Sequence, residues 1–174
     1  LHYPLRRQRQ MCIRDSDMHL IGCAQRELKN FTEAIICFQE ARKMFKMEKE
    51  VIHIARCDQK IASCYNELGD GEKAIDAARK AIDVFETAHD HDRETFALFE
   101  FGKAEILLGK LEDGLSTLDG VLIIIAEDEP KDFDFILDIE TRMVSVMRQL
   151  GRMEEADEVA VSYTHLTLPT KRIV

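Results

Sequence analysis

Of 174 residues, a middle of about 145 is enough for one domain that buries roughly two thirds of its unfolded surface, so size sets no limit on a core. The formal charge of −9 disfavours a nucleic-acid partner, because a phosphate backbone would be repelled by most of the surface. No apolar run nears the ~20 residues of a membrane-spanning helix, the longest being Val121 to Ala126.

Residues 1–16 show no helical period and carry four arginines against one aspartate. Residues 162–174 are equally aperiodic and hold Lys171, Arg172 and no acid. Both resemble translated sequencing-adapter read-through, and they are read as non-native tails flanking a domain over 17–161. Taking their +3 and +2 from −9 leaves −14 for that domain. Residues 1–16 hold no apolar segment long enough for a signal peptide, and the reading is of a cytoplasmic protein.

From residue 17 onward, apolar residues recur at helical steps. The spacing predicts helices over 17–29, 31–47, 50–68, 71–88, 92–109, 111–127, 131–150 and 153–161. Ser16 or Asp17 is placed to cap the first, and Asn30, Asp70 and Asp92 to cap three others. Pro130, after Glu127-Asp128-Glu129, marks the widest break. Val121 to Ala126 is rich in β-branched residues and would read as a strand in isolation; register with the other segments makes it helical.

That register is the main signal. In residues 61–81, Ile61, Ala62, Tyr65 and Leu68 line one helix face, Gly69 is suited to a left-handed helix end, and Asp70 begins the next helix. Ala74, Ala78 and Ala81 then line a second face small enough for two backbones to approach closely. The pattern returns: Ala34, Ala74, Gly114 and Ala156 occupy one slot at spacings of 40, 40 and 42. Four copies in register, over about 17–48, 50–90, 92–128 and 131–161, define stacked helical hairpins that share a continuous core. Within the third copy, Gly114 and Gly120 make the second helix the least stable.

This recurrence resembles the tetratricopeptide repeat. The family's small residue of the first helix falls on Gly22, Ala62 and Gly102, its turn glycine on Gly69, Gly109 and Gly151, and its alanine of the second helix on Ala34, Ala74 and Ala156. Phe38 and Ala41 match the large-then-small pair that follows. The period is longer than the family's usual one, Tyr65 alone supplies the aromatic of the first helix, and Gly114 replaces an alanine. The resemblance implies an all-α fold, an α-solenoid of about four helix-turn-helix units in a right-handed superhelix.

Chemistry is scarce. His89-Asp90-His91-Asp92 contains metal-ligating side chains, but it falls between two helices where alternation keeps them from converging. There is no phosphate-cradling glycine loop and no activated nucleophile. Cys23, Cys37, Cys57 and Cys64 lack paired spacing and read as reduced core or groove thiols. The expectation is therefore a non-enzyme without cofactor or metal, with oligomeric state left open.

What remains is a binding surface. The resemblance implies that the first helix of each unit lines a concave groove, which places Arg26, Arg56, Gln59, Lys60, Ser63, Asn66, Phe96, Phe99, Lys103, Arg142 and Arg148 along it. His19, Cys23, Ile106, Thr141 and Ser145 share that face. The cations among them suggest a positive stripe on an acidic body, with Phe96 and Phe99 as an apolar anchor for an acidic peptide or helix of a protein partner. The chaperone-binding carboxylate clamp of some relatives is not reproduced, since its slots in the first helix hold His19 and Cys23. Two further readings stand beside this scaffold role: a ligand- or peptide-sensing domain of a larger regulator, and an accessory domain of an enzyme.

Overall fold

The computed structural model describes residues 17–126 and 133–167. Their regular structure is helical throughout: α1 over 17–27, α2 Phe31–Glu48, α3 Val51–Leu68, α4 Gly71–Thr87, α5 His91–Leu107, α6 Leu111–Ala126, α7 Phe133–Gln149 and α8 Met153–Thr167. The β-branched run at the end of α6 is helical, as register required. Helix ends lie within two residues of those read from the sequence except at α8, which continues past 161 to Thr167. The break at Pro130 lies outside the described residues, as do Ser16 and the rest of 1–16. Among the described residues, no helix is long and apolar enough to cross a membrane.

The six described connections close in one way. Lys29, Lys49, Gly69, His89, Gly109 and Gly151 take positive φ, between 54° and 77°. Each donates its N–H to the carbonyl three residues back, and the following residue donates to the carbonyl five back, at 2.9–3.4 Å. Those two bonds satisfy the orphan carbonyls of a helix end. From Lys29 to Gly109 the left-handed residue recurs every 20 residues, half the repeat length legible in the sequence.

This spacing also corrects two expected caps. With His89 in the left-handed position, Asp90 rather than Asp92 precedes the helix, and Asp90 Oδ1 accepts from the Arg93 amide at 3.3 Å. Asn30 makes no side-chain cap; its Nδ2 donates to Gln25 Oε1 at 2.8 Å. Asp70 caps α4 as read, accepting from the Lys73 amide at 3.3 Å.

Packing depends on complementary volumes within each hairpin. A Cβ on Gly22 would stand 2.7 Å from Phe38 Cε1, and one on Gly102 would stand 3.1 Å from Leu118 Cδ2. The corresponding residues of the second hairpin, Ala62 and Ala78, are both fully buried. A glycine thus faces a large side chain, and an alanine stands in register with an alanine. Ala34, Ala74 and Ala156 are shut from solvent, and Gly114 is buried in the same slot, where Ile106 Cγ1 would lie 2.6 Å from an added Cβ. That contact accounts for the missing methyl.

Above this layer, Phe38, Phe45 and Ile61 centre one apolar cluster, and Leu118, Val121, Ile139 and Val146 centre another. Ala55, Ala81, Phe85 and Ala97 form a third beside α3, α4 and α5. Cys23, Cys37, Cys57 and Cys64 are free thiols. Burial pushes Cys57 up to about 12 and Cys64 to about 11, so both are inert core groups at neutral pH.

Candidate functional site

The odd-numbered helices stand side by side. Asn66 on α3 donates from Nδ2 to the Glu100 carbonyl on α5 at 2.8 Å and to Glu100 Oε2 at 2.7 Å. Phe99 on α5 meets Phe135 on α7 edge-on at 5.0 Å, and Phe96 lies 4.6 Å from the same ring. The row of first helices thus makes a continuous face, and the residues read as groove-lining divide into three groups along it.

The first group joins α1 and α3. Arg26 is ion-paired with its neighbour Glu27 at 2.8 Å. Arg56 Nη1 lies 3.4 Å from His53 Nδ1. Lys60 is mostly withdrawn from water, and burial, followed by the charge of Arg26, pulls its pKa down. His19 is lowered to about 4, first by burial and then by the charges of Arg56, Lys60 and His53. Cys23 Sγ is 3.8 Å from His19 Nδ1. Arg26, Arg56 and Lys60 therefore converge on a region of positive potential that an anionic group would relieve.

The second group lies deeper than a contact surface requires. Gln59, Ser63, Asn66, Phe99 and Lys103 are buried, whereas Phe96 is 41 % exposed. Lys103 is not a free cation of a stripe: its ammonium stands 3.1 Å from Glu100 and 3.3 Å from Glu67, and 5.3 Å from the Phe99 ring centroid. The positive stripe is accordingly interrupted at α5, because two carboxylates surround its central lysine. Sequence reasoning missed Glu67, Glu100 and Phe135. The spacing of Glu100 to Lys103 was a signal for one of them; Glu67 becomes a neighbour only when hairpins stack.

The third group lies on α7. Arg142 Nε pairs with Asp138 at 2.9 Å, and its guanidinium carbon lies 5.7 Å from the Phe99 centroid. Arg148 is exposed, its nearest carboxylate being Asp157 at 3.5 Å. Between α3, α5 and α7 opens a groove of about 250 Å³ lined by Asn66, Glu67, Lys103, Ile106, Arg142 and Ser145, among others. Asn66 Oδ1 is buried there without a hydrogen-bond partner. A buried acceptor left empty costs free energy that a donated N–H would recover.

The His89 to Asp92 string has local roles. His89 forms the turn, Asp90 caps α5, and His91 Nδ1 lies 3.2 Å from Glu94. Among the described residues, no group of three or more His, Cys, Asp or Glu side chains is placed to hold a metal.

A row of helical hairpins whose described turns close alike, with a groove along its first helices, defines an α-solenoid. The tetratricopeptide-repeat family model matches residues 18–44 and 59–87, and these segments are tetratricopeptide repeats. No curated protein matches the chain. Among solved structures, it is similar to aspartyl phosphate phosphatase F from Bacillus subtilis, at a TM-score of 0.77 and 15% identity over 87% of this chain and 39% of that one. It is also similar to a putative kinesin light chain with nearly identical TPR-like repeats from Podosopora anserina, at 0.72 and 14% over 92% and 79%. A third is BtubC (BKLC) from P. vanneervenii, at 0.77 and 13% over 92% and 68%. These likenesses establish the fold; the chain spans well under half of the phosphatase.

Proposed function

We propose that the face made by α1, α3, α5 and α7 binds a segment of a protein partner in extended or helical form. The observation that carries this reading is the groove of about 250 Å³ between α3, α5 and α7, in which polar Asn66, Lys103 and Arg142 stand beside apolar Ile106. An acidic group of the same segment sits toward Arg26, Arg56 and Lys60. Phe96, the exposed member of the aromatic pair, supplies an apolar contact. Lys103 holds the groove together through Glu67 and Glu100 and does not meet the partner's acid directly.

The test is selection of peptides from a random display library against the whole chain, followed by fluorescence anisotropy on those enriched. Selected peptides should carry an acidic residue. The pair Arg56→Glu and Lys60→Glu should weaken them by about tenfold or more, the range for losing one charge-assisted hydrogen bond. Peptides that bind the double variant as tightly as the parent would remove the cation cluster from the site.

A further inference from the structure

The junction of α1 with α3 repeats the junction of α3 with α5, with its central charge reversed. By repeat register, Arg26, Glu27, Lys60 and Ser63 stand where Asn66, Glu67, Glu100 and Lys103 stand one hairpin later. In the later junction Glu100 is the hub: its Oε2 accepts from Asn66 Nδ2 at 2.7 Å and from the Lys103 ammonium at 3.1 Å. In the earlier one the hub is Lys60, and the charge of Arg26 on α1 acts on it. A cation has taken the place of the acid and faces a second cation.

The surroundings do not offset this. Four residues before Lys60 stands Arg56, whereas four before Arg142, which fills the same slot on α7, stands Asp138, paired with it at 2.9 Å. Arg56 Nη1 lies against the His53 ring at 3.4 Å. Among the described residues, neither Arg56 nor Lys60 forms an ion pair with a carboxylate. The two acids whose charge reaches Lys60 are engaged: Glu100 by Asn66 and Lys103, Glu27 by Arg26 in a pair of the exposed kind that adds little. Arg26, Arg56 and Lys60 are each partly buried, so their charges have lost hydration yet stay within reach of a solute. Since α3 has α1 on one side and α5 on the other, Arg56 and Lys60 sit inside the row of first helices.

We propose that the junction of α1 with α3 is a phosphate-monoester site, filled by a phosphorylated side chain of the partner segment; this rests on the reading of the same face as one that binds a protein segment. A phosphate monoester carries about −1.5 to −2 charges at pH 7 and three acceptor oxygens. A single carboxylate would neutralise one of the two unpaired cations and leave the other. The dianion matches Lys60 and Arg56 together, and the planar fork of Arg26 can turn to it from Glu27. The phosphate thus takes the hub position that Glu100 holds one hairpin later, and phosphorylation of the partner switches its binding on.

The test uses the whole chain and a peptide library with phosphoserine fixed at its centre, each selected sequence being remade with serine and with two adjacent glutamates at that place. By fluorescence anisotropy the phosphoserine form should bind about tenfold or more tightly than either. Lys60→Glu, which restores the charge carried by Glu100, should remove that preference, and so should Lys60→Met, which keeps the apolar stem. Lys60→Met should also raise the melting temperature of the free chain, because it removes a partly buried cation without a counter-ion; a lowered one would show the cation to be satisfied within the chain and overturn the proposal. Glutamate peptides that bind as tightly as phosphoserine ones, and weaken in Lys60→Glu, overturn the phosphate and leave the acidic-segment reading standing. A library that yields no binder overturns both. Phosphoserine peptides held equally by the parent and both Lys60 variants overturn the site. Inorganic phosphate should compete far more weakly than the peptide, and competition at comparable concentration would make the ligand a small phosphate compound instead of a partner segment.

Discussion

The His19 imidazole stands edge-on to the Phe38 ring at 5.4 Å, largely buried and within the field of Arg56 and Lys60. Burial is the larger cause of its fall from 6.5 to about 4, and the two cations add to it. In the unfolded chain His19 takes up its proton near pH 6.5; in the folded chain it does so only near 4. Between those values the unfolded state binds more protons, so acidification removes stability. Between pH 7 and pH 5 the shift alone would give about 2 kcal/mol, and solvent screening at a partly exposed ring reduces this to about 1 kcal/mol. Urea unfolding at the two pH values should show that extra loss in the parent and not in His19→Gln; equal losses in both would mean that the ring titrates normally. Repeat register placed His19 beside Arg56 and Lys60, so this cluster was legible in the sequence. The fate of Lys103 was not, since its two acids come from different helices.

At the scale of the element, the two glycines of α6 separate once their surroundings are known. Sequence reasoning treats both as weak points of the helix. An added Cβ at Gly120 meets nothing within 4 Å, whereas at Gly114 it would strike Ile106 and approach the Gly102 carbonyl at 3.1 Å. Gly120→Ala should therefore stabilise the chain by about 1 kcal/mol, and Gly114→Ala should destabilise it by about 1–3 kcal/mol. Urea titration followed by circular dichroism distinguishes the signs, and equal gains from both would show that α5 and α6 can separate freely. The turns follow the same logic. Gly69, Gly109 and Gly151 were legible because glycine advertises the left-handed conformation, but Lys49 and His89 carry no such signature and adopt it through the 20-residue spacing. Lys49→Gly and His89→Gly should each add about 1 kcal/mol, the cost a side chain incurs there. An unchanged unfolding midpoint in both would show those turns to be unstrained.

At the scale of the whole molecule, a solenoid is stabilised hairpin by hairpin and by the contact of each hairpin with the next. Between the second and third hairpins, part of that contact is polar: Asn66 reaches Glu100, and Lys103 joins Glu67 to Glu100. Register alone showed that α3 and α5 are neighbours, but not that a buried ion network would join them, because the acid–base pair crosses 36 residues. Lys103→Met leaves Glu100 buried without its cation and should cost about 3 kcal/mol. Glu100→Gln in the same chain removes the stranded charge while keeping a side chain for Asn66, and should recover much of that loss. Since the network lies at a junction, its removal should also weaken the coupling between α1–α4 and α5–α8. Native-state hydrogen exchange should then show the two halves opening with different free energies in Lys103→Met and with similar ones in the parent. If Lys103→Met unfolds in one transition at the parent's midpoint, the junction is held by its apolar contacts, and Lys103 is free to serve the groove instead.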